Sequence, residues 1–107
     1  VMPPQKVVEM ATIGGARAIH REAELGSLEE GKLADIVIIE VQSANMVPIY
    51  NPYSALVYSA NANNVDTVIV NGEIIVKNKV LKTYDEAKSR IMMIEFSDRV
   101  AAIAKTL

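Results

Sequence analysis

The chain has 107 residues, enough for one domain with a modest core. Eleven Lys plus Arg against thirteen Asp plus Glu leave a net charge of −2, so there is no electrostatic footprint for nucleic acid or an anionic membrane. Half of the residues are hydrophobic, which argues against disorder, and the lack of cysteine excludes a disulfide framework and any thiolate metal site.

Pro3-Pro4 suits a first helical turn, where the missing N–H has no partner anyway. Val7, Val8, Met10 and Ala11 then recur at helical spacing, which predicts a short helix over 4–12. Gly14-Gly15 should interrupt it, because glycine inside a helix costs about 1 kcal/mol relative to alanine. A second short turn is expected over 16–19. The small residues Ala11, Gly14, Gly15, Ala16 and Ala18 imply close backbone approach to a partner that the sequence does not identify. Residues 25–33 read as two short extended pieces around a turn at Glu29-Glu30-Gly31. Residues 34–41 form the strongest strand, and Ile36 to Ile39 leave it no polar face, so it demands cover on both sides.

Asn51-Pro52 is a helix start, with asparagine as cap and proline in the first turn, predicting a short helix to Ser59. Residues 61–64 read as a loop. Residues 65–70 are a strand, Asn71-Gly72 a hairpin turn in which both residues tolerate positive φ, and 73–76 the return strand. A further turn at 77–79 leads to a short strand at 80–82, completing a three-stranded meander. Thr83 and Glu86 have capping-box spacing, followed by a long helix to about Thr106. Its apolar positions Met93, Phe96, Val100, Ile103 and Leu107 step by three and four, and Glu86–Arg90 and Glu95–Arg99 are candidate i,i+4 ion pairs. The fold class is therefore α+β.

Candidate chemistry is sparse. His20 is the only imidazole, with no nucleophile or orienting acid to place beside it. A helix-terminal role in a left-handed backbone accounts for it more simply. Gly14-Gly15 lacks the lysine and spacing of a phosphate loop. Asp35, Asp66 and Glu73 sit near strand ends, where solvated carboxylates are common. Met92-Met93 reads as core or interface. Tyr50, Tyr53 and Tyr58 either line a surface together or, the reading we prefer, pack with their hydroxyls at a rim. No catalytic, cofactor-binding or metal-ligating residue is assigned.

Four blocks in order carry a family resemblance. They are Met10-Ala-Thr-Ile-Gly-Gly-Ala-Arg-Ala-Ile19, Gly26-Ser-Leu-Glu-Glu-Gly-Lys-Leu-Ala-Asp-Ile-Val-Ile38, Asn51-Pro-Tyr-Ser-Ala-Leu-Val-Tyr58, and Val65-Asp-Thr-Val-Ile-Val-Asn-Gly-Glu73 continuing to Leu81. Together they resemble the C-terminal end of metal-dependent amidohydrolases, in the branch of chlorohydrolases and adenosine-type nucleoside deaminases. His20 stands where that pattern ends a helix with glycine, Ala55 where histidine is frequent, and Lys79 where a hairpin glycine is usual. None of these is a metal ligand in the family.

The resemblance implies a (β/α)₈ barrel whose ligands, upstream of these blocks, hold a divalent ion (zinc or iron) that activates water. Such a barrel needs about 250 residues, so the chain is expected to be a C-terminal part. Residues 1–24 would be the last barrel helices, 25–82 part of a small composite β-sandwich, and 83–107 a closing helix. The expected partners are the missing barrel and strands, together with a second copy through self-association. No nucleic acid or membrane partner is expected. The chain alone would bind no metal and turn over nothing. The rival expectation is a stand-alone α+β interaction module. A cytoplasmic setting fits the cysteine-free composition.

Overall fold

A computed structural model describes residues 2–107. Helix α1 (Pro4–Glu9) starts at extended Pro3 and has proline in its first turn. It runs without a break through a π-helical turn (Met10–Gly14) into α2 (Gly15–Ala18). The glycine pair therefore does not interrupt the helix. The chain takes one wide turn there, and the Thr12 hydroxyl donates to the Val8 carbonyl at 2.7 Å, a side-chain bond of the kind that distorts helices. A Cβ on Gly14 would lie 3.1 Å from the Glu9 carbonyl oxygen, so the close turn favours glycine.

Residues 24–33 are not extended. They form a compact loop closed at its base by the Leu33 N–H donating to the Glu24 carbonyl at 2.9 Å. Gly26 and Gly31 turn the chain at φ 94° and 89°. Gly26 packs so tightly that a Cβ there would meet the Ala16 Cβ and the Ile13 Cα, each at 2.8 Å. This loop is thus the partner that the small residue Ala16 serves.

Strand β1 (Ile36–Ile39) pairs antiparallel with β2 (Val65–Val70), which pairs with β3 (Glu73–Lys77), which pairs with β4 (Val80–Leu81). The expected three-stranded meander forms, and β1 joins it to make a four-stranded sheet, Val37 opposite Val68 and Ile38 opposite Thr67. Asn71 and Gly72 turn the β2–β3 hairpin at φ 49° and 79°, the two left-handed positions of that turn. Asn78 and Lys79 repeat the geometry at φ 51° and 67°.

Between β1 and β2 the chain forms a long arm. It contains a 3₁₀ turn (Ala44–Met46), helix α3 (Pro52–Ser54) continuing into a π-helical turn (Ala55–Ser59), and a 3₁₀ turn (Ala62–Asn64) where a plain loop was expected. Asn51 caps α3 as expected, its side-chain oxygen accepting from the N–H groups of Tyr53 and Ser54 at 2.9 and 3.3 Å. Helix α1 packs against α3 and the turn that follows it.

Helix α4 (Glu86–Ala104) is capped by Asp85, whose side chain accepts from the Lys88 N–H at 3.0 Å. The cap therefore sits two residues beyond Thr83, because Asp85 is an acceptor closer to the first turn. Neither expected i,i+4 pair of α4 forms. Arg99 lies over the Phe96 ring instead, 6.0 Å from its centroid.

Burial is scarce. Ala16 and Met46 are the buried apolar side chains among the described residues, and α4 has none. The accessible surface is 8457 Å², against about 5,900 Å² for a folded monomer of this mass. The radius of gyration is 19.1 Å, where a compact chain of this length would have about 13 Å. No helix among the described residues is long and apolar enough to cross a membrane.

Candidate functional site

His20 ends the first helical unit at φ 59°, exposed, its N–H donating to the Arg17 carbonyl at 3.1 Å. Its ring has no hydrogen-bond partner among the described residues, so nothing orients it for proton transfer. Asp35 is structural: its carboxylate accepts the Asn71 N–H at 2.7 Å and ties the start of β1 to the β2–β3 turn. Asp66 accepts from the neighbouring Thr67 hydroxyl at 2.8 Å. Glu73 is exposed beside the turn. Tyr50 and Tyr58 project into solvent, 93% and 69% exposed, rather than packing at a rim. Tyr53 lines a cleft of about 550 Å³ with Gln5, Glu9, Arg17 and Lys32. Met92 and Met93 are both exposed on α4.

The densest polar constellation was not foreseen from sequence. The Glu40 carboxylate accepts from the Ser43 hydroxyl, from the Asn64 side-chain amide at 2.6 Å, and from the Gln42 and Ser43 N–H groups at 2.9 and 3.1 Å. Asn64, only 2% exposed, accepts in turn from the Asn45 side-chain amide at 2.7 Å and the Asn61 N–H at 2.9 Å. The Glu40 N–H donates to the Asn64 carbonyl at 2.8 Å. Led by the Ser43 hydroxyl, then Asn64 and the Gln42 N–H, these donors hold the Glu40 carboxyl down at about 2. No lysine or arginine among the described residues takes part. The only sequence signal was the asparagine-rich run 61–64, which is too common in turns to be specific.

A second cluster holds the 24–33 loop. Lys32, its side chain 12% exposed, donates to the Ser27 hydroxyl at 2.7 Å and pairs with Glu29 at 3.1 Å. The Ser27 hydroxyl first, then Lys32, lowers the Glu29 carboxyl.

Both clusters are satisfied within the chain, with no buried side-chain N or O lacking a partner among the described residues. No group of three or more His, Asp or Glu side chains converges to hold a metal among the described residues. What the chain does present is apolar surface. A cleft of about 550 Å³ runs between α2, the 24–33 loop and β1, lined by Ala16, Ile19, Leu25, Ile36, Val37 and Leu56. Val37 and Ile38 are about half exposed on opposite faces of β1, and Ile91 through Ile94, Phe96, Val100 and Ile103 are all exposed on α4. Among the described residues this apolar surface is the feature best suited to docking.

Known proteins share both sequence and fold with it. A 5-methylthioadenosine/S-adenosylhomocysteine deaminase of Thermoanaerobacter pseudethanolicus is 48% identical over 87 residues, which is 81% of this chain and 20% of that protein. The deaminase of the same name from Syntrophobacter fumaroxidans is 35% identical over 106 residues, 99% of this chain and 23% of its own length. The chain thus spans about a fifth of the length of these curated relatives. A zinc-bound adenosine deaminase from Xanthomonas campestris superposes with a TM-score of 0.85 at 28% identity, covering 94% of this chain and 23% of its own. A zinc complex of atrazine chlorohydrolase from Arthrobacter aurescens TC1 superposes with a TM-score of 0.74 at 29% identity, covering 88% and 20%. The sequence pattern of the Amidohydrolase family matches residues 1–75, well over half of the chain, and with the fold agreeing, the chain belongs to the amidohydrolase family.

Proposed function

We propose that the chain is the C-terminal, non-catalytic part of a metal-dependent amidohydrolase that removes the amino group of a 5′-methylthioadenosine- or S-adenosylhomocysteine-like nucleoside. The observation that carries this reading is the 48% identity over 87 residues to a deaminase of that name. The open surface supports its being part of a larger fold. Roughly 2,500 Å² beyond what a monomer of this mass exposes is the size of an obligate interface. In this arrangement residues 1–24 are the last barrel helices, 25–82 share a composite β-sandwich with strands from elsewhere, and 83–107 close the fold. The remainder of the enzyme covers β1 and the apolar side of α4, and a second copy takes what stays open. The whole protein works in the cytoplasm.

The divalent ion of such an enzyme, zinc or iron, would be held outside these 107 residues. The single histidine is an exposed helix terminus, and no acidic cluster accompanies it among the described residues. These side chains do not fit a metal centre, and no hydrolytic step is assigned to them.

Hydrolytic dechlorination is the second reading, favoured by triazine hydrolase neighbours with TM-scores of 0.74–0.76. Their 28–29% identity makes it the weaker of the two. The deciding experiment expresses the protein encoded by the complete reading frame. It measures ammonia release from S-adenosylhomocysteine and 5′-methylthioadenosine, chloride release from atrazine, and the same for the 107-residue chain alone. Ammonia release by the complete protein and none by the chain is expected. Turnover by the chain itself, or a complete protein inert toward the nucleosides, would overturn the proposal.

A further inference from the structure

The arm between β1 and β2 leaves the sheet at Glu40 and returns at Asn64, and these two residues are joined twice. The Glu40 N–H meets the Asn64 carbonyl at 2.8 Å, and the Asn64 amide meets the Glu40 carboxylate at 2.6 Å. Asn45 adds a second tie, donating to Asn64 at 2.7 Å and to the Ser59 carbonyl at 3.0 Å. Between these ties lies the segment whose helix, Pro52 to Ser59, packs against α1. The helical layer is therefore held partly through the arm, and the arm is held to the sheet by a polar clasp centred on a buried asparagine.

We propose that the Glu40–Asn64 clasp is a conformational latch: while closed it fixes the arm and, through it, α1 against the sheet, and when it opens the arm and α1 loosen together as one unit. The sheet lies outside that unit, because β2 and β3 are held by their own ladder on the far side of Asn64. Exposure along the arm supports the separation. Val47, Tyr50 and Tyr58 contribute nothing to a core, and Met46 is the one buried apolar side chain in the segment. Opening therefore breaks mainly the polar ties and the α1 contact. Local units of this kind, with few buried apolar groups, are the first to open in native proteins.

Hydrogen–deuterium exchange on the complete protein tests this. Asn64→Ala removes the donor to Glu40 and the acceptor for Asn45 and Asn61, and Ser43→Ala removes a single donor. Losing one such bond changes a local opening equilibrium by about tenfold, and losing several by about a hundredfold. The expected result for Asn64→Ala is about a hundredfold faster exchange over 44–60 and, in step with it, over 4–18, while 66–76 is unchanged. Ser43→Ala should give the same pattern at about tenfold, which preserves the test should Asn64→Ala fail to fold. A uniform rise across the chain, or faster exchange in the arm with 4–18 unaffected, would overturn the latch.

Discussion

The arm at 40–64 and the helix at 86–104 are two ways of finishing a surface. In the arm every buried polar group finds its partner within a few turns of chain, and one carboxylate gathers four donors. Helix α4 is the reverse: locally well capped by Asp85, it leaves its apolar side chains in solvent along its whole length. Polar bonds are short-ranged and saturable, so a segment can complete them alone. Apolar faces need area, and this chain has too little to offer itself.

Four changes would break or sharpen that contrast. The 24–33 loop, which like the arm completes its own polar contacts, should tolerate almost nothing where it is tightest. Gly26→Ala combines a left-handed backbone with two contacts at 2.8 Å and should cost about 3 kcal/mol in urea denaturation. A loss under about 1 kcal/mol would mean the loop is looser than its geometry.

The second change is in pH. The folded Glu40 carboxyl lies at about 2 against an ordinary 4.5, so its contribution is complete above pH 4.5 and is lost as pH falls toward 2. Amide protection in 44–60, taken relative to the intrinsic exchange rate at each pH, should fall over that window, and Glu40→Gln should abolish that fall. A window unchanged in the variant would assign the effect to another carboxylate.

Third, His20→Gly and Lys79→Gly relieve left-handed backbones at φ 59° and 67°. Each should stabilise by about 0.5–1 kcal/mol in thermal or urea melts, the glycine's greater unfolded-state freedom offsetting part of the gain. Fourth and smallest, Val100→Asp on the exposed face of α4 should change the stability of the isolated chain by less than about 0.5 kcal/mol. In the complete protein it should cost several times more, because there the face is proposed to be covered. Equal effects in both would remove the contrast between arm and helix.

Much of the fold was legible because its signals are local. Asn51-Pro52 and Asn71-Gly72 each encode their own geometry in two residues, and both appear as read. The family was legible from four ordered blocks. What escaped depends on partners distant in sequence. The clasp joins residues 24 apart, and the pairing of β1 with β2 crosses the whole arm. The 24–33 loop looked extended because Leu25, Leu28 and Leu33 sustain no helical repeat, and only the tertiary contact of Gly26 with Ala16 reveals a compact loop. The cap of α4 was misplaced by two residues because Thr83 and Asp85 are both good acceptors, and spacing to Glu86 favoured the wrong one.

The wide turn at Met10–Gly14 has a steering effect. Fitting an additional residue into one turn shifts the phase of everything after it by roughly 100° relative to an uninterrupted α-helix. The shift sets which side chains reach the loop: Val8 before the turn and Arg17 after it line the cleft shared with Tyr53, while Ala16 meets Gly26. Deleting one residue there would restore regular winding yet swing Ala16 off the only spot where its small size is used. A helix that seems weakened by its glycines is, in this chain, a single rod with two addresses.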